Sequence, residues 1–279
     1  MALEKIYSYS QINTYKSCPE KYKISYLDGT RKPDESIEAF MGKRVHEVLE
    51  WAFKERSNKF TTFDKLTAKY DNLWMNAWHD KIYIADPRVN TDHIYTIGLR
   101  CLGNFCSSYG PMFNTPVYAT ELKLEFKIEN YKFRGILDRV DKTVDGKWII
   151  TDYKTSKRAK GIRAAKSDIQ LGLYYIAIQQ NFEEANQILT GWNFLRHNKE
   201  IYLKPEEVDG KRDWEKFNSQ MEESTEKIKK QVVRRIKKIE KNIKESHSFF
   251  PKESILCHWC YFWDECSAKT ISNPARSAK

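Results

Sequence analysis

Three groups of residues in this chain of 279 have the types and spacing to do chemistry. The first is Asp138, with Asp152 and Lys154 downstream. Asp152 and Lys154 stand two apart at the end of the run Trp148-Ile149-Ile150, so on a strand both project from one face. Charged groups at the end of a buried strand are costly unless they serve a site. Asp145-Gly146 marks a turn between the carboxylates, and two registers are open. A two-residue turn places Asp138 opposite Tyr153. A three-residue loop, Val144-Asp145-Gly146 with a left-handed glycine, places Asp138 opposite Asp152 on the same face, and this is the expected arrangement. Two carboxylates so close repel unless a cation lies between them, and hard oxygen donors suit Mg²⁺ or Mn²⁺. Such an ion lowers the pKa of a bound water and offsets charge on a phosphoryl oxygen, with Lys154 placed to orient water or stabilise the charged transition state. The plain alternative is a surface ion pair between Asp152 and Lys154.

The second group is made of cysteines. Cys257-His258-Trp259-Cys260 and Cys266 give a C-x₂-C-x₅-C pattern, and Cys18 lies 239 positions before Cys257. In a reducing compartment, six cysteines on a chain this long point to metal or cluster ligation rather than a disulfide framework. Zinc is one reading, although structural Cys₄ zinc sites usually use two C-x₂-C pairs and only one is present. Cys101 and Cys106 read as ordinary buried thiols.

The third group is charge. The net +10 is concentrated in two segments: residues 154–166 carry +6 and residues 227–244 carry +8, leaving −4 for the rest. Focused positive charge points to a polyanion, most often nucleic acid, with a solvated helix face as the alternative. With 41% hydrophobic and 14% aromatic residues the chain is not a disordered one. It holds no apolar run of the roughly 18 residues that a membrane span needs, and no secretory leader opens it. A soluble, cytoplasmic protein is expected.

These residues need elements to position them. Ser8-Tyr9-Ser10-Gln11 has the form of a capping box opening a short helix that Cys18-Pro19 closes. A helix over about 36–56 puts His46 on a face with Leu49 and Phe53. Residues 57–115 read as a helical insertion broken at Asp86-Pro87. Residues 117–128, 132–142 and 147–153 form a three-stranded meander, in which Glu121 reads as a surface-strand residue, the alternative being a second-metal ligand. Ser167-Asp168-Ile169-Gln170 is a second capping-box form, opening a helix that carries Gln170 and Tyr174 one turn apart. Strands follow at 187–196 and 200–203, then a long helix over about 214–246 with the stripe Ile228, Val232, Ile236, Ile239 and Ile243. The order describes one α/β domain, residues 1–279, with long helical additions.

Together, Gly135-x-x-Asp138-Arg139-Val140-Asp141, Asp152-Tyr153-Lys154-Thr155, Gln170-x-x-x-Tyr174 and Gly42-Lys43-Arg44-Val45-His46 resemble the RecB-like branch of the PD-(D/E)XK nuclease superfamily. Leu137 stands where other branches have the proline, which this branch commonly lacks. The resemblance implies a restriction-endonuclease-like α/β core, a mixed central sheet flanked by helices. It implies that His46, Asp138, Asp152 and the backbone carbonyl of Tyr153 hold Mg²⁺ or Mn²⁺, that Lys154 is the catalytic lysine, and that Gln170 and Tyr174 face the DNA or the active site. The one-plus-three layout of Cys18, Cys257, Cys260 and Cys266 resembles the iron–sulfur nucleases of the superfamily, AddB-type and CRISPR-adaptation exonucleases. It implies a 4Fe–4S cluster clamping residues 1–30 to residues 247–270. The activity so implied is exonuclease action on single-stranded DNA or DNA ends, in repair, recombination or CRISPR adaptation. With no G-x-x-x-x-G-K-[ST] motif, unwinding would fall to a helicase or other partner protein. A non-catalytic DNA-binding or assembly module and an RNA-directed nuclease are the alternatives.

Overall fold

In the computed structural model, which describes residues 5–55, 61–110, 115–245 and 249–268, the element order is helix, meander, helix, strand pair, helix. The N-terminal part holds β1 (Ile6–Tyr7), α1 (Tyr9–Ser17), α2 (Pro19–Tyr22), β2 (Glu35–Ser36) and α3 (Ile37–Glu55). Next come α4 (Phe63–Ala77), β3 (Ile82–Tyr83) and α5 (Thr91–Tyr109). The meander is β4 (Val117–Ile128), β5 (Tyr131–Lys142) and β6 (Trp148–Lys154). It is followed by α6 (Ile162–Ala165), α7 (Ile169–Asn181), β7 (Ile188–Phe194), β8 (Lys199–Leu203), β9 (Glu207–Val208), β10 (Lys211–Arg212) and α8 (Trp214–Lys244). Arg56, Ser246 and residues 57–60, 111–114, 247–248 and 269–270 of the expected segments lie outside the described residues.

The central sheet is mixed. β5 pairs antiparallel with β4 along one edge. Its other edge is shared: β1 pairs parallel with Lys132 and Phe133, and β6 pairs antiparallel with residues 139–142. β6 runs parallel to β7, which makes a hairpin with β8. A parallel pair needs a crossover, and α6 and α7 supply it. The row Trp148, Ile150 faces α7, and the buried residues of α7 and α8 complete that core. α3, α4 and α5 build a second core, into which Tyr153 projects from the sheet and Leu195 from the 3-10 turn after β7. Neighbouring residues of β6 thus serve opposite faces: Asp152 belongs to the α7 side and Tyr153 to the α3 side.

Several local expectations shift. Pro19 does not only stop α1. It opens α2, where its missing N–H costs nothing, and a π-helical turn follows over Lys23–Leu27. The described part of segment 57–115, residues 61–110, is largely helical but includes β3, which pairs with β2. Cys101 is buried, whereas Cys106 is only partly so. The cap of α7 is Asp168 rather than Ser167, its carboxylate accepting from the N–H groups of Gln170 and Leu171. Gln170 is therefore not the reciprocal partner of a capping box, and its side chain is free for the site. Ile243 is exposed at 43%, because the last turn of α8 runs past the core.

β7 and β8 approach closely at Gly191, where a Cβ would lie 2.3 Å from the Ile201 carbonyl oxygen and 2.8 Å from the Tyr202 Cα. Backbone cannot swing aside as a side chain does. Gly191→Ala is therefore expected to destabilise the chain by about 1–3 kcal/mol, read as a lower urea midpoint with unchanged slope.

Candidate active site

The loop between β5 and β6 sets the site. Thr143 N–H donates to the Lys147 carbonyl at 2.9 Å, and Val144, Asp145 and Gly146 form the three-residue loop between them, with Gly146 at φ +82°. Arg139 pairs with Thr151 and Val140 with Ile150, so one step further Asp138 stands opposite Asp152. On the other edge of β5, Thr120 pairs with Arg139 and Leu122 with Leu137, so Glu121 stands opposite Asp138. Three carboxylates thus line up across three adjacent strands.

Two backbone irregularities aim them. Phe133 and Leu137 face the α7 core, but the next inward residue of β5 is Val140, a step of three that changes the strand's phase at Asp138. Glu121 has φ +49°, a left-handed conformation that costs a non-glycine residue about 1–3 kcal/mol. Glu121 was expected on the solvent side because Leu122, Leu124, Phe126 and Ile128 alternate on the other face. Instead it is half-buried, and one oxygen each of Glu121 and Asp138 and a ring nitrogen of His46 lie within 4.8 Å of one another. No residue type at 121 announces a positive φ, so the alternation rule alone could not find it.

Each predicted residue has a definite place. His46, on α3, sets its Nδ1 3.6 Å from Asp138 Oδ2 and its ring edge-on to Tyr153. Asp138 Oδ2 also accepts the Tyr153 N–H at 2.7 Å. Asp152 stands apart from the His46, Glu121 and Asp138 group and pairs with Lys154, Oδ2 to Nζ at 2.5 Å. Lys154 Nζ also donates to Gln170 Oε1 at 3.1 Å, and Gln170 Nε2 donates to the Tyr174 hydroxyl at 2.8 Å. Tyr174 is buried, so it reaches the site through Gln170 rather than facing solvent. The Tyr153 phenol points to the opposite face, into the α3 core.

Burial dominates the electrostatics. It raises the pKa of Asp138 and of Asp152 well above the ordinary carboxylate range, against the lowering pull of Lys154 on both. Burial also raises that of Glu121, with the negative charge of Asp138 adding to it. Burial lowers that of His46, so the ring is held neutral and able to donate a lone pair. A crowded set of carboxylate oxygens beside an imidazole nitrogen is the donor set of a hard divalent cation.

Behind β5 and β6 lies a polar network that the sequence did not single out. Arg139 is 2% exposed; it pairs with Asp141 at 3.2 Å and donates to Tyr153, Tyr109 and Thr151. The guanidinium ties the strands bearing Asp138 and Asp152 to α5. Its signal in the chain is the pair Arg139 and Asp141, which follows Asp138 directly within its motif.

The four cysteines come from both ends of the described chain. Cys18 sits between α1 and α2, Cys257 lies in the turn Ile255–Trp259, and Cys260 and Cys266 follow. All four line one cavity of about 260 Å³, with Ile24, Trp259 and Phe262. Lys252 N–H donates to Cys18 Sγ and Ser254 N–H to Cys257 Sγ, each at 3.4 Å. Tyr22 stacks on Phe249, and Glu20 accepts from Cys266 Sγ and Ser267 N–H, which joins the two segments. Among the described residues, no three of these sulfurs lie within 4.8 Å of one another. Around a single tetrahedral zinc they would be about 3.8 Å apart, from a Zn–S length of about 2.3 Å.

Among the described residues no helix is long and apolar enough to cross a membrane. One component of an ATP-dependent helicase/deoxyribonuclease from Streptococcus equi subsp. zooepidemicus, strain MGCS10565, is 28% identical over 183 residues, 62% of this chain. The strain H70 counterpart is 27% identical over the same length. The match spans 16% of the length of these relatives. A solved structure of a candidate exonuclease from Eubacterium rectale superposes with a TM-score of 0.51 at 12% identity, covering 96% of this chain and 90% of that one, a likeness of fold. The model of the PD-(D/E)XK nuclease superfamily matches residues 6–267, and the chain belongs to that superfamily.

Proposed function

We propose that this chain is a metal-dependent deoxyribonuclease that hydrolyses phosphodiester bonds, acting as an exonuclease on single-stranded DNA or DNA ends. The observation that carries the reading is the row Glu121, Asp138 and Asp152 on three adjacent strands, with Lys154 bonded to the last. Nucleases of this superfamily use divalent metals, and the donor set of the site fits one. His46, Asp138 and Glu121 would hold Mg²⁺ or Mn²⁺, with Asp152 and the Tyr153 carbonyl completing the shell. A bound ion would supply Lewis acidity toward a phosphoryl oxygen and a lower pKa for a ligated water.

The chain's own groups do the rest. Asp152 and Gln170 hold the Lys154 ammonium in place from two sides, so that it faces developing negative charge without reorganising first. Tyr174 fixes Gln170, which keeps the ammonium from swinging away. Arg139 holds the two carboxylate strands in register from the opposite face. The +6 segment that begins at Lys154 and the basic α8 would track the phosphate backbone. The relatives' designation as one component of a helicase/deoxyribonuclease supports a helicase partner.

The cysteine cavity is read as the seat of a 4Fe–4S cluster. A polynuclear cluster holds its thiolates further apart than a single zinc does, and N–H donors already aim at two of the sulfurs. Its role would be structural, because it ties Cys18 to Cys257, Cys260 and Cys266 across nearly the whole chain.

Three outcomes test these readings. With end-labelled single-stranded DNA, duplex DNA and RNA, cleavage should require Mg²⁺ or Mn²⁺. It should fall at least about 10³-fold in Lys154→Ala, which removes the charge-stabilising group. Equal behaviour of wild type and variant on every substrate would leave only a binding module, and cleavage confined to RNA would reassign the substrate. Anaerobically purified protein should contain iron and acid-labile sulfide, both lost in Cys18→Ala; a colourless, zinc-containing sample would reject the cluster.

The third outcome concerns pH. Asp138 and Asp152 are more readily protonated when folded than unfolded, so with chelator present the folded chain binds the extra protons. Stability then falls as pH rises from the carboxylate range toward neutrality. Thermal melting in EDTA should show this loss, Asp152→Asn should flatten it, and Mg²⁺ should reverse it.

A further inference from the structure

A cavity of about 520 Å³ opens where α6, β8, the β9–β10 hairpin and the first turns of α8 meet. That volume falls within the roughly 300–1,000 Å³ of ligand pockets. Leu203, Pro205, Phe217 and Met221, all buried, line it as an apolar floor, and Ile162, 43% exposed, stands at its rim. Lys166, Lys204 and Arg212 line it too, with Glu206 and Glu207. Glu207 pairs with Arg212 at 3.4 Å and Glu206 with Lys216 at 3.8 Å, so both acids already face cations. Lys166 and Lys204 are exposed and form no ion pair among the described residues. The cavity thus joins an apolar floor to two uncompensated cations. Its complement is a ligand with a flat apolar part and an anionic part.

The strand register fixes where the cavity lies relative to the carboxylates. Asp152 pairs with Trp192 on β7, and Trp192 pairs with Ile201 on β8. Residues paired across neighbouring strands share a face, so these three form one row on the α7 side of the sheet. Leu203 is two residues along β8 from Ile201 and faces the same way. Two strand spacings of about 4.8 Å and two residues of about 3.3 Å put Leu203 about 12 Å from Asp152, backbone to backbone. The covalent path runs in the same direction. The basic segment begins at Lys154 and passes Lys160, whose Nζ lies 4.8 Å from the centre of the Trp192 ring. It ends at Lys166 on the cavity, where Ser224 Oγ of α8 donates to the Lys166 carbonyl at 2.8 Å. A polyanion lying along this segment is led from Lys154 to the cavity.

We propose that this cavity takes up one unstacked base of the bound DNA strand, a few nucleotides from the cut bond, with Lys166 and Lys204 on the phosphates beside it. A base supplies the flat apolar part of the ligand and the backbone the anionic part. Apolar contact with a base face tolerates any sequence, and the lysines hold phosphate without reading it. A base paired in a duplex enters only at the cost of unpairing, so the cavity favours single strands. The substrate class rests on the nuclease reading given above; the cavity, its lysines and its place on the Asp152 face do not.

The test uses the full chain in EDTA, so that no strand is cut. A labelled single-stranded oligodeoxynucleotide is scanned with one abasic position at a time, and binding is read by fluorescence anisotropy. One position should weaken binding about tenfold, through the loss of one base contact. Iododeoxyuridine at that position should crosslink on irradiation to a peptide holding Phe217 and Met221 or Leu203 and Pro205, and the same base within a duplex should not. Lys166→Gln combined with Lys204→Gln changes only exposed side chains, so the chain should fold. It should lower the slope of log K against log salt by about 1.4. An abasic scan with no special position, a crosslink confined to other segments, equal crosslinking of duplex, or a wild-type salt slope in the lysine variant would each overturn the proposal. Cleavage with Mg²⁺ then separates the two readings. A chain that gives the crosslink yet never cuts keeps the base site and loses the nuclease reading. A chain that cuts DNA without a crosslink in the cavity does the reverse.

Discussion

Everything at the candidate site depends on the repulsion that folding forces on three carboxylates. The β5–β6 loop of three residues sets Asp138 against Asp152, and the left-handed turn of the backbone at Glu121 brings a third acid to Asp138. Like charges gathered in a partly desolvated place are unfavourable by themselves. They persist because protons, a lysine or a cation offset them. Lys154 pairs directly with Asp152, whereas Asp138 meets a histidine ring and a backbone N–H and feels Lys154 at longer range. The compensation is unequal: Asp152 is paired with the ammonium, while Asp138 and Glu121 lie together beside His46.

Rigidity behind the site comes from the opposite face of the sheet. Arg139 is nearly fully buried, and it bonds across to Thr151 and Tyr153 on the next strand and to Tyr109 on α5. Removing one partner from such a network leaves a buried charge uncompensated, which costs more than the pair contributes. The strands bearing Asp138 and Asp152 are therefore clamped from behind by the guanidinium, and from the front Gln170 and Tyr174 immobilise Lys154. The cysteine cavity joins α1 and α2 to the segment after α8.

Much of this was legible in the chain. The meander followed from the alternation over 117–128 and the Asp-Gly turn, and the pairing of the acids from counting residues across that turn. Gln170 and Tyr174 shared a face because they are one helical turn apart. What escaped was whatever depended on a single backbone angle or on tertiary company. Glu121 looked like a solvent-side residue because period two holds only while φ stays negative. Ser167 looked like the cap because Ser and Asp are both good caps and only the fold chooses between them. Cys106, grouped with Cys101 as buried, is only partly buried because it lies toward the end of α5. Arg139 stood in plain view beside Asp138, but its burial could be known only once α5 lay over the sheet.

The claim at the centre is that the hairpin register builds one cation site from acids on neighbouring strands. Mn²⁺ binding followed by electron paramagnetic resonance, in Lys154→Ala protein so that no turnover intervenes, tests it directly. A tight Mn²⁺ site lost in Asp138→Asn and weakened in Glu121→Gln and His46→Ala is the expected result. Mn²⁺ binding that survives unchanged when Asp138 and Asp152 are both replaced by asparagine would contradict it.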